Sequence, residues 1–242
     1  MKHCFDFFCV LLVSGFGLLL GAGCQSAGSK VAPVHLLQQE RGAFYSFLQG
    51  FGVDNDPDHV FTLTNGVLRA SGQHFGYLAT KQEYADYRLV AEFKWGEKTW
   101  PPRELNARDS GILVHMAGAD GVWPKSIEAQ FIEGGTGDVL AVNGAYLTVN
   151  GVTKGPRTAR FDRPGRNPWK DELGFLGPNE IELPRGRWNR VEVLCVGDAV
   201  SVSVNGHPTI AGTNASPRTG KIGLQSEGAE VFFRRLDLYP LR

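Results

Sequence analysis

Hydrophobic and polar residues alternate with a period of two in several segments of the chain. In residues 87–95 the charged positions 88, 92 and 94 share one face, and the apolar positions share the other: Tyr87, Leu89, Ala91, Phe93 and Trp95. Successive side chains of a β-strand point to opposite faces of a sheet, so this pattern predicts a half-buried strand. Further strands are predicted in residues 190–195, 200–204, 220–225 and 231–238.

Turn signals separate these predicted strands. The dipeptides Asn65-Gly66, Gly197-Asp198 and Asn205-Gly206 favour tight hairpins, because asparagine and glycine tolerate the positive φ that such turns require. The chain has 31 Gly and 13 Pro among its 242 residues, and only the short segment 36–48 has a trace of helical periodicity. Short strands joined by hairpins predict an all-β fold, either a β-sandwich or a jelly roll.

The beginning of the chain has a different composition. Lys2 and His3 precede a mostly apolar run over residues 7–20, and small residues then lead to Cys24. This order resembles a lipoprotein signal peptide, in which Cys24 becomes the lipidated first residue of an exported protein. We therefore expect a signal peptide at 1–23, an anchor and tether at 24–43 that hold the protein at a membrane of the cell envelope, and one domain at 44–242.

Charge and cysteine content narrow the function classes. The 25 Lys and Arg residues balance the 25 Asp and Glu residues, so no global field favours nucleic acid, and binding must come from a local site. Cys195 is the one cysteine expected in the mature domain, where it falls on the apolar face of a predicted strand. A buried, inert thiol is the interpretation that this position favours.

Residues 126–132 combine an apolar and a polar face. Ile127, Ala129 and Phe131 can pack in the core, whereas Glu128 and Gln130 then point together from the opposite face. The alternative is an ordinary solvated strand, since the outer faces of sandwiches are often polar. Only a second strand that brings further polar groups to Glu128 would separate the two interpretations.

Residues 109–116 predict such a strand. Its alternation places Gly111, Leu113 and His115 on one face, and a glycine inside a strand often marks the close approach of another group. If this strand neighbours residues 126–132, His115 lies near Glu128. A carboxylate and an imidazole could then transfer a proton or bind a divalent metal, although a lone histidine on a strand is more often structural.

Several motifs, taken in order, resemble the 3-keto-disaccharide hydrolase family, whose fold is a concanavalin-like and glucanase-like jelly roll. The resemblance covers nearly the whole mature chain, from residue 44 to residue 241. The motifs are Gly76-Tyr-Leu-Ala-Thr-Lys-Gln-Glu-Tyr-Ala-Asp-Tyr-Arg-Leu, Asp109-Ser-Gly-Ile-Leu, Ile127-Glu-Ala-Gln-Phe-Ile-Glu-Gly, Gly137-Asp138, Arg187-Trp-Asn-Arg-Val-Glu-Val and Ile222-Gly-Leu-Gln-Ser-Glu-Gly.

This resemblance implies a sugar-binding sheet and cleavage of glycosides already oxidised to a ketone at C3, by base-assisted elimination or by hydrolysis. A ketone at C3 acidifies the hydrogen on C2, so the site needs a base, and Glu128 is the candidate base. His115 could act as a donor, base or metal ligand, and a divalent metal ion is a candidate cofactor. An oxidoreductase would have to supply the ketone. The residues expected to bind substrate or border the site are Lys81, Arg108, Asp109, Gln130, Gln225 and Glu227.

Other interpretations stay open at this point. The spacing Glu128-x-Gln130-x-x-Glu133 resembles the catalytic strand of lichenase-type glucanases, with Gln130 in place of an aspartate. A non-catalytic carbohydrate-binding module or a surface protein with a solvated polar face would also fit the sandwich. Three tryptophans in proline-bearing loops could stack on sugar rings or plug their own loops: Trp100, Trp123 and Trp169. The irregular region 148–183 either borders the site or is a solvated insertion.

Overall fold

The computed structural model describes residues 31–39 and 41–241. The predicted signal peptide, Cys24 and the first part of the predicted tether lie outside the described residues. Within the part that is described, no α-helix occurs, and no helix is long and apolar enough to span a membrane. Two short 3-10 helices span Leu36–Gln38 and Arg41–Ala43, so the segment 36–48 with weak helical periodicity forms two tight turns and then a strand.

Eighteen strands follow one another along the described chain. They are β1 (Val34–His35), β2 (Phe44–Leu48), β3 (Gly52–Val53), β4 (Phe61–Thr64), β5 (Val67–Ala70), β6 (Gly76–Thr80), β7 (Tyr87–Thr99), β8 (Asp109–Ala117), β9 (Lys125–Ile132), β10 (Val139–Val142), β11 (Tyr146–Val149), β12 (Val152–Lys154), β13 (Ala159–Phe161), β14 (Asn189–Val196), β15 (Ala199–Val204), β16 (His207–Ser216), β17 (Lys221–Ser226) and β18 (Ala229–Pro240).

The strands form two antiparallel sheets. The ten-stranded sheet has the order β12-β11-β16-β15-β14-β7-β18-β5-β4, with β1 also paired to β18. The eight-stranded sheet has the order β13-β10-β9-β8-β17-β6-β2-β3. The hairpins at Asn65-Gly66 and Asn205-Gly206 have positive φ at both residues, as type I′ turns require. The predicted sandwich is confirmed.

One hydrophobic core fills the space between the sheets. All five apolar positions of residues 87–95 belong to it, together with Ile127, Ala129 and Phe131 of β9. The rings of Phe93 and Phe131 stack with centroids 4.2 Å apart and join the two sheets at the centre. The face of the eight-stranded sheet that is turned away from this core is called its outer face below.

The folded part begins earlier than residue 44. Val34 and His35 pair with Leu238 and Asp237 of β18, and Leu36 is fully buried in the core. The tether predicted to run to residue 43 is therefore corrected at its C-terminal end. A short strand and a turn were missed because two residues of extended chain carry no recognisable alternation.

Candidate active site

Two polar side chains of β9 lie on the outer face of the eight-stranded sheet. Glu128 and Gln130 alternate with core residues, as predicted, and so point away from the core. Only 3% of each of these residues is exposed. The interpretation of β9 as a solvated polar strand is therefore wrong, because solvated side chains would remain in contact with water.

Glu128 meets a side chain of β17 above Gly111. In the pairing of β8 with β9, Gly111 lies opposite Gln130 and Leu113 lies opposite Glu128. A Cβ atom at Gly111 would stand 2.5 Å from Glu128 Oε1 and 2.7 Å from Gln225 Oε1. The missing side chain at position 111 thus makes room for both groups, and the close approach predicted there is confirmed.

Glu128 is a buried carboxyl group with an unused oxygen. Burial and, to a smaller extent, the charge of Asp109 raise the pKa of Glu128 to about 8, against the opposing effects of Arg160 and Gln225. Glu128 Oε1 makes no hydrogen bond, and the nearby side-chain amide of Gln225 makes none of acceptable geometry. Once it is ionised, which the raised pKa places at about pH 8 and above, Glu128 can accept a proton from a bound molecule. Gln225 Nε2 can donate a hydrogen bond to one of the oxygens of that molecule.

Two further carboxyl groups complete what is called here the carboxylate cluster: Asp109, Glu128 and Glu227. Gln130 Nε2 donates to Asp109 Oδ1, and Asp109 Oδ2 lies 3.1 Å from Arg103 Nη2. Burial raises the pKa of Asp109 to about 6. The backbone of Glu227 bridges to that of Asp109, and burial, with the charges of Asp109 and Glu128, raises the pKa of Glu227 well above its usual value.

Two arginines supply positive charge to the carboxylate cluster. Arg103 reaches it from the loop after β7, and Arg160 of β13 donates to Gln130 Oε1 at 3.4 Å. The charges of both arginines lower the pKa of Asp109 and of Glu227. Three carboxyl groups face two guanidinium groups, so the cluster is electrically neutral when one carboxyl group keeps its proton.

The donor set does not fit a divalent metal ion. The three carboxyl groups of the carboxylate cluster are neighbours, but within residues 31–39 and 41–241 no three His, Cys, Asp or Glu side chains are arranged so that they could hold one metal ion. Asp109 is already engaged by Arg103 and Gln130. A divalent cation in a protein needs several oxygen ligands at once. The metal considered from the sequence thus has no ligand set here, and no chemical step is derived through one.

A family model described as a 3-keto-α-glucoside-1,2-lyase-like domain matches residues 44–238. The chain belongs to this family. The resemblance to 3-keto-disaccharide hydrolases is therefore confirmed, and with it a general role in carbohydrate processing. Among curated protein sequences, none matches the chain.

Solved structures share the fold of this lyase-like domain. Two proteins from Parabacteroides distasonis, whose description as glycosyl hydrolases is itself provisional, each align with 87% of the chain. One is 18% identical, with 100% of its own length covered and a TM-score of 0.53; the other is 16% identical, with 95% covered and a TM-score of 0.56. A β-glucanase from Bacillus licheniformis is 13% identical over 86% of this chain and 97% of its own, with a TM-score of 0.51. The predicted glucanase-like jelly roll is confirmed.

His115 does not lie beside Glu128 in this lyase-like domain. The pairing of β8 with β9 shifts between Val114 and Ala117, and His115 has a φ of 55°. The strand therefore bulges at His115, which breaks the alternation that placed the imidazole on the outer face. The predicted pairing of His115 with Glu128 is wrong.

The imidazole of His115 is fully buried against the backbone. Its Nε2 lies 3.2 Å from the carbonyl oxygen of Ala85, its Nδ1 lies 3.3 Å from that of Pro217, and its ring packs edge-on against Tyr87. Burial lowers the pKa of His115, so the ring is neutral and one nitrogen donates to a carbonyl oxygen. These contacts make His115 a structural residue.

Arg108 and Lys81 also lie away from the carboxylate cluster. Arg108 Nη1 donates to Glu133 Oε1 at 2.7 Å in a buried ion pair, and Glu133 also accepts from the backbone N–H of Gly174 at 2.9 Å. Lys81 is exposed in the turn after β6, four residues beyond Tyr77, which pairs with Gln225. The roles predicted for Arg108 and Lys81 in binding substrate are therefore wrong. The Arg108 side chain is enclosed in an ion pair, and Lys81 follows the end of β6 that lies away from Gln225.

Four of the predicted substrate-contacting residues do meet around Glu128: Asp109, Gln130, Gln225 and Glu227. Sequence reasoning missed Arg103 and Arg160. Arg160 lies between the partly buried Ala159 and the buried Phe161, so alternation marks it as an outward residue. Its position beside Gln130, however, depends on the pairing of β13 with β10 and of β10 with β9. Arg103 lies in a loop without periodicity.

The irregular region 148–183 borders the carboxylate cluster, although part of it forms β12 and β13. Asp171 Oδ1 accepts from the backbone N–H of Ala107 at 3.1 Å and lies 3.4 Å from Arg103 Nη2. Trp169 packs on Arg166 at 4.2 Å, and its ring is 5.9 Å from Arg160. The interpretation of this region as a solvated insertion is therefore wrong.

Proposed function

We propose that this domain cleaves the glycosidic bond of 3-keto glycosides, with Glu128 as the base that removes the proton from C2. The observation that carries the proposal is the buried Glu128 Oε1, which has no hydrogen-bond partner, on a carboxyl group whose pKa is raised to about 8. A ketone at C3 acidifies the hydrogen on C2, so a carboxylate of this basicity is suited to its removal. A domain that only binds sugar has no use for such a base.

The reaction proceeds by elimination. The C2 proton passes to Glu128, and the electrons of the C–H bond form an enolate whose negative charge rests on the C3 oxygen. The enolate then collapses, the bond from C1 to the bridging oxygen breaks, and the departing oxygen takes a proton from Glu227. Burial, with the charges of Asp109 and Glu128, raises the pKa of Glu227 well above its usual value, which favours the protonated form that a general acid needs. Addition of water to the unsaturated product would make the overall reaction a hydrolysis.

Positive charge and unpaired donors support the enolate. Arg160 reaches the cluster next to Gln130, and Gln225 Nε2 is a buried N–H donor without a partner. Such donors stabilise a developing oxyanion most strongly in a site that excludes water. The buried position of Glu128 supports that exclusion.

Double displacement of the glucanase type is less well supported. It needs two carboxyl groups about 5 Å apart with the scissile bond between them. Glu133, the second carboxylate suggested by the spacing, is occupied by Arg108 and by the backbone N–H of Gly174. Gln130 stands where a third carboxylate would be required.

The decisive experiment compares the 3-keto and unoxidised forms of one disaccharide, each with and without chelator. We expect cleavage of the 3-keto form alone, without loss of rate in chelator. Glu128→Gln should lower kcat by about 10²- to 10⁴-fold while sugar binding stays within a few-fold. Glu192→Gln, on the opposite sheet, is the matched control. Binding without cleavage of either form would favour a carbohydrate-binding module, and full activity of Glu128→Gln would exclude Glu128 as the base.

We also propose export and lipid anchoring at Cys24, on the strength of the leader sequence. Cys24→Ala should yield a protein that incorporates no labelled fatty acid and leaves the membrane fraction. Labelling that persists in this variant would refute Cys24 as the modified residue. The substrate would have to come from an oxidoreductase that converts a sugar C3 hydroxyl to a ketone.

A further inference from the structure

The loop between β8 and β9, residues 118–124, folds back over the outer face of the eight-stranded sheet; it is called the flap below. The carboxylate of Asp120 accepts hydrogen bonds from Tyr45 Oη at 2.7 Å and from Tyr77 Oη at 2.6 Å. Tyr45 belongs to β2 and Tyr77 to β6, on the far side of β17 from β8. The flap therefore crosses over β17 and is fixed at its tip.

The surface beneath the flap is largely apolar. A second hydrophobic cluster, separate from the main core, lies on the outer face and consists of Tyr45, Tyr77, Ala79, Leu113 and Met116. Burial and the neighbouring Asp120 carboxylate raise the pKa of both phenols, so both keep the protons that they donate to Asp120. Asp120 is thus hydrogen-bonded to two buried phenols, which tie the flap to the outer face.

The flap presents Trp123 next to the carboxylate cluster. The ring of Trp123 lies 6.0 Å from that of Phe75, at an angle of 55°. Gly76 pairs with Ser226, so Phe75 lies level with Glu227 on the adjacent strand. Phe75 therefore stands on the β6 side of the cluster, one strand away from it, and the ring of Trp123 reaches Phe75 from the flap.

Trp123 differs from the other two loop tryptophans. The indole N–H of Trp100 donates to the carbonyl oxygen of Ser71 at 2.9 Å, and the indole N–H of Trp169 donates to the carbonyl oxygen of Glu133 at 3.0 Å. Both rings therefore anchor their own loops. Trp123 keeps 38% of its surface exposed. An exposed indole at the edge of a buried polar site is suited to stack on the apolar face of a sugar ring.

We propose that Trp123 and Phe75 form an aromatic subsite for the sugar ring that departs in the reaction, and that Asp120 is the positioning residue of this subsite. This inference rests on the proposed function and adds how the second sugar ring of the substrate is recognised. The ketone-bearing ring must place C2 at Glu128 and its C3 oxygen near Arg160, which lies on the β13 side. The ring beyond the scissile bond then extends to the opposite side, where Trp123 and Phe75 lie.

The test compares a 3-keto disaccharide with the methyl 3-keto glucoside, which has no second ring. Trp123→Ala should raise KM about tenfold for the disaccharide, with kcat within about twofold, and leave both constants for the methyl glucoside unchanged. Trp123→Phe, which keeps an aromatic ring, should have a KM for the disaccharide close to that of the wild type. Asp120→Ala should reproduce the effect of Trp123→Ala, whereas Asp120→Asn, which keeps an acceptor oxygen, should have a smaller effect.

Trp188→Ala is the matched control, because Trp188 lies just before β14 in the ten-stranded sheet, where it contacts Lys94 and Arg234. It should change neither substrate's constants. An equal effect of Trp123→Ala on both substrates, or none on either, overturns the subsite.

Binding separates this inference from the proposed function. Calorimetry with the unoxidised disaccharide and the methyl glucoside needs no turnover, and it should show that the wild type prefers the disaccharide and that Trp123→Ala loses the preference. If neither keto substrate is cleaved, the proposed function fails and this binding measurement still decides the subsite. The absence of any preference in the wild type overturns the subsite, whatever the activity.

Discussion

Replacing Gly111 with alanine would disturb the candidate active site by a single methyl group. The added Cβ would stand 2.5 Å from Glu128 Oε1 and 2.7 Å from Gln225 Oε1, whereas an ordinary contact begins at 3.4 Å. The two side chains would therefore have to retreat by about 0.7 to 0.9 Å. The two closest atoms are the ends of side chains, and Glu128 Cγ stands 3.0 Å away. Because all three atoms belong to flexible side chains, the backbone of β8 can keep its pairing.

This displacement should affect catalysis far more than stability. A misplacement of about 1 Å in a catalytic group can cost about 10²-fold in rate. Extra volume in a packed site costs roughly 1–3 kcal/mol of unfolding free energy, and we expect about 1 kcal/mol because the side-chain ends can move. Gly111→Ala should thus fold normally and lower kcat about 100-fold for a 3-keto disaccharide.

Steady-state kinetics and thermal denaturation of the same preparation would measure both effects. Gly42→Ala is the matched control, since a Cβ at Gly42 meets nothing within 4 Å. It should leave kcat and the melting temperature unchanged. If Gly111→Ala retained full kcat and full stability, Glu128 and Gln225 would not meet above position 111, and the geometry of the site would be refuted.

Four further predictions concern three side chains: Glu128, Arg160 and His115. Because the folded protein keeps a proton on Glu128 up to about pH 8, above the ordinary value of 4.5, kcat/KM should rise with pH towards a plateau above about pH 8. Between about pH 5 and 8 the unfolded chain loses this proton and the folded protein keeps it, so the unfolding free energy of the wild type falls as the pH rises. Glu128→Gln lacks this loss, so in urea denaturation its stability relative to the wild type should be higher at pH 8 than at pH 5. A difference that is the same at both pH values would contradict the raised pKa. Arg160→Ala should lower kcat about 10²- to 10³-fold, and an unchanged kcat would remove Arg160 from the site. His115→Ala should lower unfolding free energy by about 1–3 kcal/mol while the folded enzyme keeps kcat/KM within about threefold; a larger kinetic loss at full stability would restore a catalytic role.

The strand that carries Glu128 was predictable because β9 is regular. Its alternation runs from residue 125 to 132 without a break, so knowing that Phe131 is in the core was enough to turn Glu128 and Gln130 outward. The period of two is a geometric property of an unbroken strand. Where the strand is unbroken, the face of each residue follows from its sequence position.

The position of His115 was not predictable by the same rule. A bulge adds one residue to β8, and every side chain beyond it changes face relative to the simple count. The bulge depends on a left-handed backbone at a histidine, and neither glycine nor proline marks it in the sequence. For the same reason Met116 lies in the outer cluster, although Ile112 and Val114 of the same strand lie in the core.

The arginines and the flap depend on contacts between distant parts of the chain. Arg160 reaches Gln130 only because β13 pairs with β10 and β10 with β9, and Arg103 is held by Asp171 from another loop. A pattern within one segment contains no information about such neighbours. The buried carboxyl groups, in contrast, were proposed because their motifs resembled those of a known family.

The position of β17 has a consequence for how the molecule becomes functional during synthesis. This strand lies between β8 and β6, which are complete more than a hundred residues earlier in the chain. Until Lys221–Ser226 is inserted, β8 and β6 each expose an unpaired edge, and the positions of Gln225 and Glu227 are empty. A ribosome-bound or truncated chain that stops before β17 therefore lacks two of the side chains around Glu128, and we expect it to be inactive and prone to self-association.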